Sequence, residues 1–139
     1  MIRTTRKTLA ATLAAATIAT AALSAAPAHA GGSFSVHVQP RNAQEEQAMR
    51  AGMAIYSIAN AVNGGASIRQ LGNRNAGGIA QNGWGNQGIV HQEGNGHNGT
   101  ITQNGNGNAY GLFQFGRNTN GHVVQNGNGG TGATFQFGW

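Results

Sequence analysis

The second half of the chain alternates aliphatic and polar positions in a unit of eleven residues that occurs seven times. In six of the seven units an aliphatic residue precedes a glutamine by two positions, and in all seven a glycine follows that glutamine by two. Because side chains alternate between the faces of a β-strand, these three positions share one face. The rest of each unit, such as residues 73–77, is rich in Asn and Gly, which favour turns. The pattern therefore predicts one short strand and one turn per unit.

The three repeated positions define three sets of residues that we expect to face the interior. The glutamines are Gln70, Gln81, Gln92, Gln103, Gln114, Gln125 and Gln136. The aliphatic residues are Ile68, Ile79, Val90, Ile101, Leu112 and Val123, with Thr134 in the seventh unit. The glycines are Gly72, Gly83, Gly94, Gly105, Gly116, Gly127 and Gly138.

Two units form a coil of 22 residues in which two strands face each other. Successive coils would stack ~4.8 Å apart in parallel register, as in cross-β structures. Each glutamine amide would bond to its equivalent in the next coil, so that buried polar groups stay paired. We expect the repeat glycines to let the two sheets approach and the chain bend. The predicted fold class is all-β, a two-sheet β-solenoid over residues 67–139.

The outward positions become more apolar toward the last coil. Phe113 and Phe115 precede Phe135 and Phe137 by 22 residues, so each pair should stack. The solenoid ends on its most apolar coil, and no polar cap is predicted there. An open sheet edge is a template for another strand, so the expected partner is a second copy. A head-to-tail contact of this kind does not close and generates a filament.

Residues 1–30 have the pattern of a secretory signal peptide. Three cations precede an uncharged apolar stretch over residues 9–26, and an Ala-x-Ala site follows. Cleavage is predicted between Ala30 and Gly31.

Residues 31–66 lack the repeat. Alternation over residues 33–39 predicts one strand. Asn42 is a predicted N-cap and Glu45 its capping-box partner for a helix over residues 42–63. This helix either packs over the first coil as a cap or serves as an address for secretion or a surface anchor.

The composition excludes several kinds of chemistry. Only 8% of residues are charged, 24 are glycine, and Cys is absent. No thiol nucleophile or disulfide is therefore available, and three acidic residues leave little for acid–base catalysis. Three of the eight basic residues belong to residues 1–30, so the net charge of +5 does not indicate nucleic-acid binding. We predict no catalytic residue, metal site, cofactor, small-molecule substrate or nucleic-acid partner.

The half-repeat Gln-x-Gly-x-x-Asn, with the next glutamine eleven residues after the first, resembles the curlin repeat of bacterial curli fibres. The motif's turn asparagine is present at Asn75, Asn86 and Asn108. Other residues take this position at His97, Thr119 and Gly130. The resemblance covers residues 67–139. It implies export by the outer-membrane secretion machinery of a Gram-negative bacterium, a cell-surface amyloid, and roles in adhesion and biofilm.

The sequence thus predicts a secreted fibre subunit that polymerises with itself, as major subunit or nucleator. A related fibre subunit is a further candidate partner. Gln70 and Gln136, at the two ends of the ladders, are expected to govern elongation. The alternative is a soluble repeat adhesin or binding module at the cell surface that does not polymerise, with its N-terminal helix blocking one edge.

Overall fold

A computed structural model of the protein describes residues 31–59 and 65–139. The described part begins with strand β1 (Ser33–Val38) and helix α1 (Ala43–Ala59). Seven strands follow: β2 (Ala66–Leu71), β3 (Ala76–Asn82), β4 (Gln87–Asn95), β5 (Asn98–Asn104), β6 (Ala109–Arg117), β7 (Asn120–Asn126) and β8 (Thr131–Gly138). The predicted signal peptide and the last residues of the predicted helix lie outside the described residues.

Strands β2 to β8 form a two-sheet β-solenoid, as the repeat predicts. One sheet has the order β1-β8-β6-β4-β2 and the other the order β3-β5-β7. Neighbouring repeat strands are parallel and offset by 22 residues, so Gln70 pairs with Gln92 and Gln81 with Gln103. The predicted coil length is therefore confirmed.

The solenoid interior holds an aliphatic core beside a row of buried amides. Val90, Ile101 and Leu112 are buried and pack together, with Ile79 and Val123 partly buried around them. Dense packing of these aliphatic side chains removes apolar surface from water, which is the main stabilising contribution to the fold.

The repeat glycines lie where the chain bends, as predicted, and they also allow one coil to stack closely on the next. Six of them have φ between +88° and +122°, a region that side-chain-bearing residues rarely adopt. A Cβ at Gly83 would lie 2.1 Å from the carbonyl oxygen of Gly105 in the next coil. These glycines therefore allow coil to stack on coil where the strand turns.

A second set of glycines allows the two sheets to approach, and the sequence interpretation missed its role. Its members are Gly77, Gly88, Gly99 and Gly121, each of which stands two positions before the aliphatic residue of its unit. A Cβ at Gly99 would lie 2.5 Å from Oε1 of Gln114 on the facing strand. Any side chain here would displace the glutamine row.

The last coil of the five-stranded sheet is not open, which corrects the expectation of an uncapped end. β1 forms as predicted from its alternation, but it pairs antiparallel with β8, with Phe34 opposite Phe137 and Val36 opposite Phe135. Backbone bonds of 3.1 and 2.9 Å between Gly32 and Trp139 extend this pairing. In the other sheet, β7 keeps an unpaired edge among the described strands.

Helix α1 begins with the predicted cap. The Glu45 amide donates to Oδ1 of Asn42 over 2.8 Å, and the Glu45 carboxylate accepts from the amide of Arg41 over 2.8 Å. In a standard capping box that carboxylate would bond the N-cap amide instead. In the described part of the chain, no helix is long and apolar enough to cross a membrane.

The helix does not cover the first coil, so that expectation is wrong. It lies along the outer face of the five-stranded sheet, where Met53 packs against Ile89 and Ala109. Nη2 of Arg50 donates to the carbonyl oxygens of Gly107 and Gly129 over 2.9 and 3.1 Å. The outer face of β4 and β6 is apolar at these positions, which explains why the helix packs there.

Candidate functional site: the two ends of the solenoid

The predicted glutamines form two ladders, one in each sheet. In both, Nε2 of one glutamine donates to Oε1 of the glutamine 22 residues later, over 2.7–2.8 Å. Gln92, Gln103 and Gln114 are fully buried. All of these bonds point the same way along the solenoid, so the ladders have a direction.

The same amides also join the two sheets, which the repeat alone did not reveal. In five of the seven glutamines the second hydrogen of Nε2 goes to a backbone carbonyl 16 residues earlier. Gln103 donates to Gln87 over 3.0 Å and Gln114 to Asn98 over 2.9 Å. Each buried glutamine thus uses both donors and its acceptor. Such full pairing is required because an unpaired buried amide is costly.

The turn asparagines form a second set of rungs. Nδ2 of Asn86 donates to the carbonyl oxygen of Gly105 over 2.8 Å, and its Oδ1 accepts from the amide of Asn108 over 3.0 Å. Asn75 and Asn108 make the equivalent bonds. These residues therefore fix one turn above another.

Where the turn asparagine is replaced, other polar side chains take over the stacking. Nδ1 of His97 lies 2.8 Å from Oγ1 of Thr119, one coil further on. His97 is only 1% exposed, so it is an interior histidine. Only its place in the asparagine column could have indicated this burial from the sequence.

The outward aromatic columns stack as predicted. Phe113 and Phe135 have ring centroids 4.9 Å apart, and Phe115 and Phe137 are 5.3 Å apart. Phe34 of β1 continues the second column, 5.0 Å from Phe137. The aromatic stripe therefore extends onto the strand that closes the sheet.

The helix covers the start of the first aromatic column and alters the titration of two side chains. The Tyr56 hydroxyl is hydrogen-bonded to Nδ1 of His91, and the two rings meet edge to face. Burial, and then the positive charge of Arg69, lower the pKa of His91, although the Glu93 carboxylate opposes this. Burial also raises the pKa of Tyr56.

At the first coil, the solenoid presents acceptors without partners. The edges of β2 and β3 are unpaired in the described structure. Among the described residues, Oε1 of Gln70 and Oε1 of Gln81 accept no hydrogen bond, since each begins its ladder.

At the last coil, the ladder of one sheet ends on the unpaired Nε2 donor of Gln125 within the described residues, and the ladder of the other sheet ends on β1. Nε2 of Gln125 has no partner within the described part of the protein. Nε2 of Gln136 instead donates to Oγ of Ser35 over 3.2 Å. The two ends of the molecule are therefore complementary, with acceptors at one end and donors at the other.

The described residues contain no group of three or more His, Cys, Asp or Glu side chains that could hold a metal ion. Comparisons with protein-family models, curated proteins and solved structures found no match. The likeness to the curlin repeat therefore stands on the sequence pattern alone. Function has to be inferred from the ladders and from the two ends.

Proposed function

We propose that this protein is a secreted structural subunit of a curli-like extracellular amyloid fibre, in which copies join end to end. The observation that carries the proposal is the complementarity of the two ends. Among the strands that the structure describes, one end offers the open edges of β2 and β3 with the acceptors of Gln70 and Gln81. The other offers the open edge of β7 with the donor of Gln125.

The direction of the ladders favours head-to-tail joining. A donor end meets an acceptor end in that arrangement, whereas head-to-head contact would bring acceptor to acceptor. The contact uses two different surfaces of one molecule and does not close, so it extends into a filament. Unpaired strand edges supply the affinity, and the aliphatic and glutamine columns set the register.

The resemblance to the curlin repeat supports the biological side of this proposal. By that likeness, the subunit leaves a Gram-negative cell through outer-membrane secretion machinery and contributes to adhesion and biofilm. It acts there as the major subunit or the nucleator, with a related subunit as a further partner.

The test is fibre formation by residues 31–139, which form one compact unit in the structure. Protein freshly diluted from denaturant is followed by thioflavin-T fluorescence, and the product by X-ray fibre diffraction. We expect seedable growth and reflections at ~4.7 Å and ~10 Å. Growth with a lag indicates a major subunit, and growth without one a nucleator.

A second candidate is the soluble repeat adhesin that does not polymerise. The pairing of β1 with β8 favours it, because a covered edge blocks strand addition. This candidate predicts a monomer with β-type circular dichroism that stays monomeric in sedimentation as concentration rises and that seeds nothing. Such a result would replace the fibre proposal.

A further inference from the structure

Strand β1 makes the contacts that another coil would make on β8. Oγ of Ser35 accepts the hydrogen bond that Gln136 would otherwise give to the next glutamine. Nδ1 of His37 lies 2.9 Å from Oγ1 of Thr134, above the aliphatic column. Phe34 stacks on Phe137 at the outer face. A strand of reversed direction thus reproduces the interior and exterior contacts of a repeat.

The number of repeat strands in each sheet indicates which strand of a second copy would pair with β8. Four repeat strands lie in the five-stranded sheet and three in the other. If the solenoid continued to wind beyond β8, the next strand would pair with β7 and the strand after it would pair with β8. A following copy therefore enters after half a turn about the solenoid axis, with its β2 on β7 and its β3 on β8.

If the following copy stacked without this half turn, backbone groups at the junction would remain unpaired. If β2 of the following copy paired with β8, an empty strand position would separate β7 from the incoming β3. The backbone groups of both edges would remain unpaired inside the fibre, which is unfavourable. In the rotated arrangement, Gln125 meets Gln70, Gln136 meets Gln81, and both ladders continue.

We propose that β1 is a displaceable plug: it occupies on β8 the place that β3 of the following copy takes, so growth at this end requires β1 to leave. This inference rests on the proposed fibre function and identifies the step that limits it. The last coil is then a docking surface for a second copy of this chain, and β1 of the same chain covers part of it.

The packing of β1 is suited to release. All six of its residues are exposed, and Phe34 remains 40% accessible although it stacks on Phe137. Segments with few buried contacts open most easily. An incoming copy covers the edges of β7 and β8 together, whereas β1 covers β8 alone. The copy therefore gains pairing that β1 cannot provide.

A reversible disulfide tests the plug. The chain has no cysteine, and Val38 pairs with Ala133 on the outer face, so Val38→Cys with Ala133→Cys introduces a single bond. Opposed residues in an antiparallel pair have Cα atoms about 4.5–5.5 Å apart, within the range of disulfides. The control is Glu93→Cys with Phe115→Cys, which links the interior strands β4 and β6 and leaves β1 unrestrained.

Growth from preformed wild-type seeds is measured for each variant, oxidised and reduced, in residues 31–139. We expect oxidation to slow elongation by the β1-locked variant at least tenfold, reduction to restore it, and the control variant to grow equally in both states. Equal growth of the locked and reduced forms, with the disulfide verified by mass spectrometry, would overturn the plug and leave the fibre proposal standing. Failure of wild-type protein to form fibres under any condition would overturn both.

Discussion

At the scale of single residues, the fold depends on buried glutamine side chains in which both N–H groups and the carbonyl oxygen are hydrogen-bonded. Gln103 is fully buried and bonds to Gln81, Gln125 and the backbone of Gln87. Gln70 is exposed at the start of its ladder and bonds, among the described residues, to Gln92 alone. In the proposed fibre, the same residue type therefore serves folding in the middle of the solenoid and assembly at its end.

Replacing these two glutamines should separate the two roles. Gln103→Ala leaves buried groups unpaired and is expected to lower the free energy of unfolding by ~1–3 kcal/mol, measured with denaturant. Gln70→Ala should change stability little and slow seeded fibre growth more than Gln103→Ala does. Equal slowing by both variants would contradict a special role for the end of the ladder.

The glycines of the strand interior are a second residue-scale test. Gly99→Ala places a methyl group 2.5 Å from Oε1 of Gln114, while Gly78→Ala meets nothing closer than 3.6 Å. We expect Gly99→Ala to cost about 1–3 kcal/mol through overpacking. Gly78→Ala should stay within about 0.5 kcal/mol of wild type, as surface changes usually do. Thermal and denaturant unfolding of the pair would measure the difference, and similar losses would mean that sheet approach is not limiting.

At the scale of elements, α1 and β1 are the two additions to the repeat, and they act on different surfaces. α1 covers the outer face of β4 and β6 through Met53 and Tyr56, and Arg50 bonds to the turns at Gly107 and Gly129. β1 covers the edge of β8. α1 reaches the last coil through the bonds of Arg50 to Gly129 and of Glu46 to Thr131, but in the described structure it pairs with no strand edge. In the proposed fibre, β1 is therefore the element that competes with a second copy for an edge.

Docking of α1 should depend on pH through His91. Its pKa is lowered in the fold, chiefly by burial and then by Arg69, from an unfolded value near ~6.5. The folded state therefore binds a proton less readily than the unfolded chain, and stability is lost as pH falls from ~6.5 toward the folded pKa. A protonated ring also cannot accept a hydrogen bond from Tyr56 at Nδ1.

We expect lower amide protection factors in α1, after correction for the intrinsic pH dependence of exchange, and a lower free energy of unfolding near pH 5.5 than at pH 7.5. The variant His91→Gln should lose the part of this pH dependence that comes from His91 while keeping the contributions of the other titratable groups. An unchanged pH profile in His91→Gln would show that His91 does not control the docking of α1.

At the scale of the whole molecule, the odd number of repeat strands would decide how copies stack in the proposed fibre. The half-turn arrangement places Asn126 of one copy beside Leu71 of the next, whereas the unrotated one places Phe137 beside Leu71. These are the positions that continue the register of the existing strand pairs.

Cysteine pairs distinguish the two geometries. Fibres of Leu71→Cys with Asn126→Cys are expected to oxidise into covalent chains, seen as a ladder on a non-reducing gel. Fibres of Leu71→Cys with Phe137→Cys should yield few such products. The opposite result would mean that copies stack without rotation, and the strand that replaces β1 would then be β2.

Much of the solenoid could be predicted from the eleven-residue period, because each unit repeats the same residue types at the same strand and turn positions. Gln-x-Gly with a preceding aliphatic residue defines the strand, its inward face and the 22-residue register. The stacking of Phe113 on Phe135 follows from that register. A parallel in-register stack brings like residues together, so the contacts between coils can be read from the spacing alone.

The tertiary structure decided what no period encodes. Ser35 and His37 belong to a segment whose alternation predicts a strand but not its partner. Only folding brings them into contact with Gln136 and Thr134, about one hundred residues away in sequence. The close approach at Gly99 depends on the facing strand, and His97 is buried where it contacts Thr119 of the next coil. Local patterning fixes which face of a strand is apolar, but contacts between non-repeated segments depend on how their side chains fit together in space.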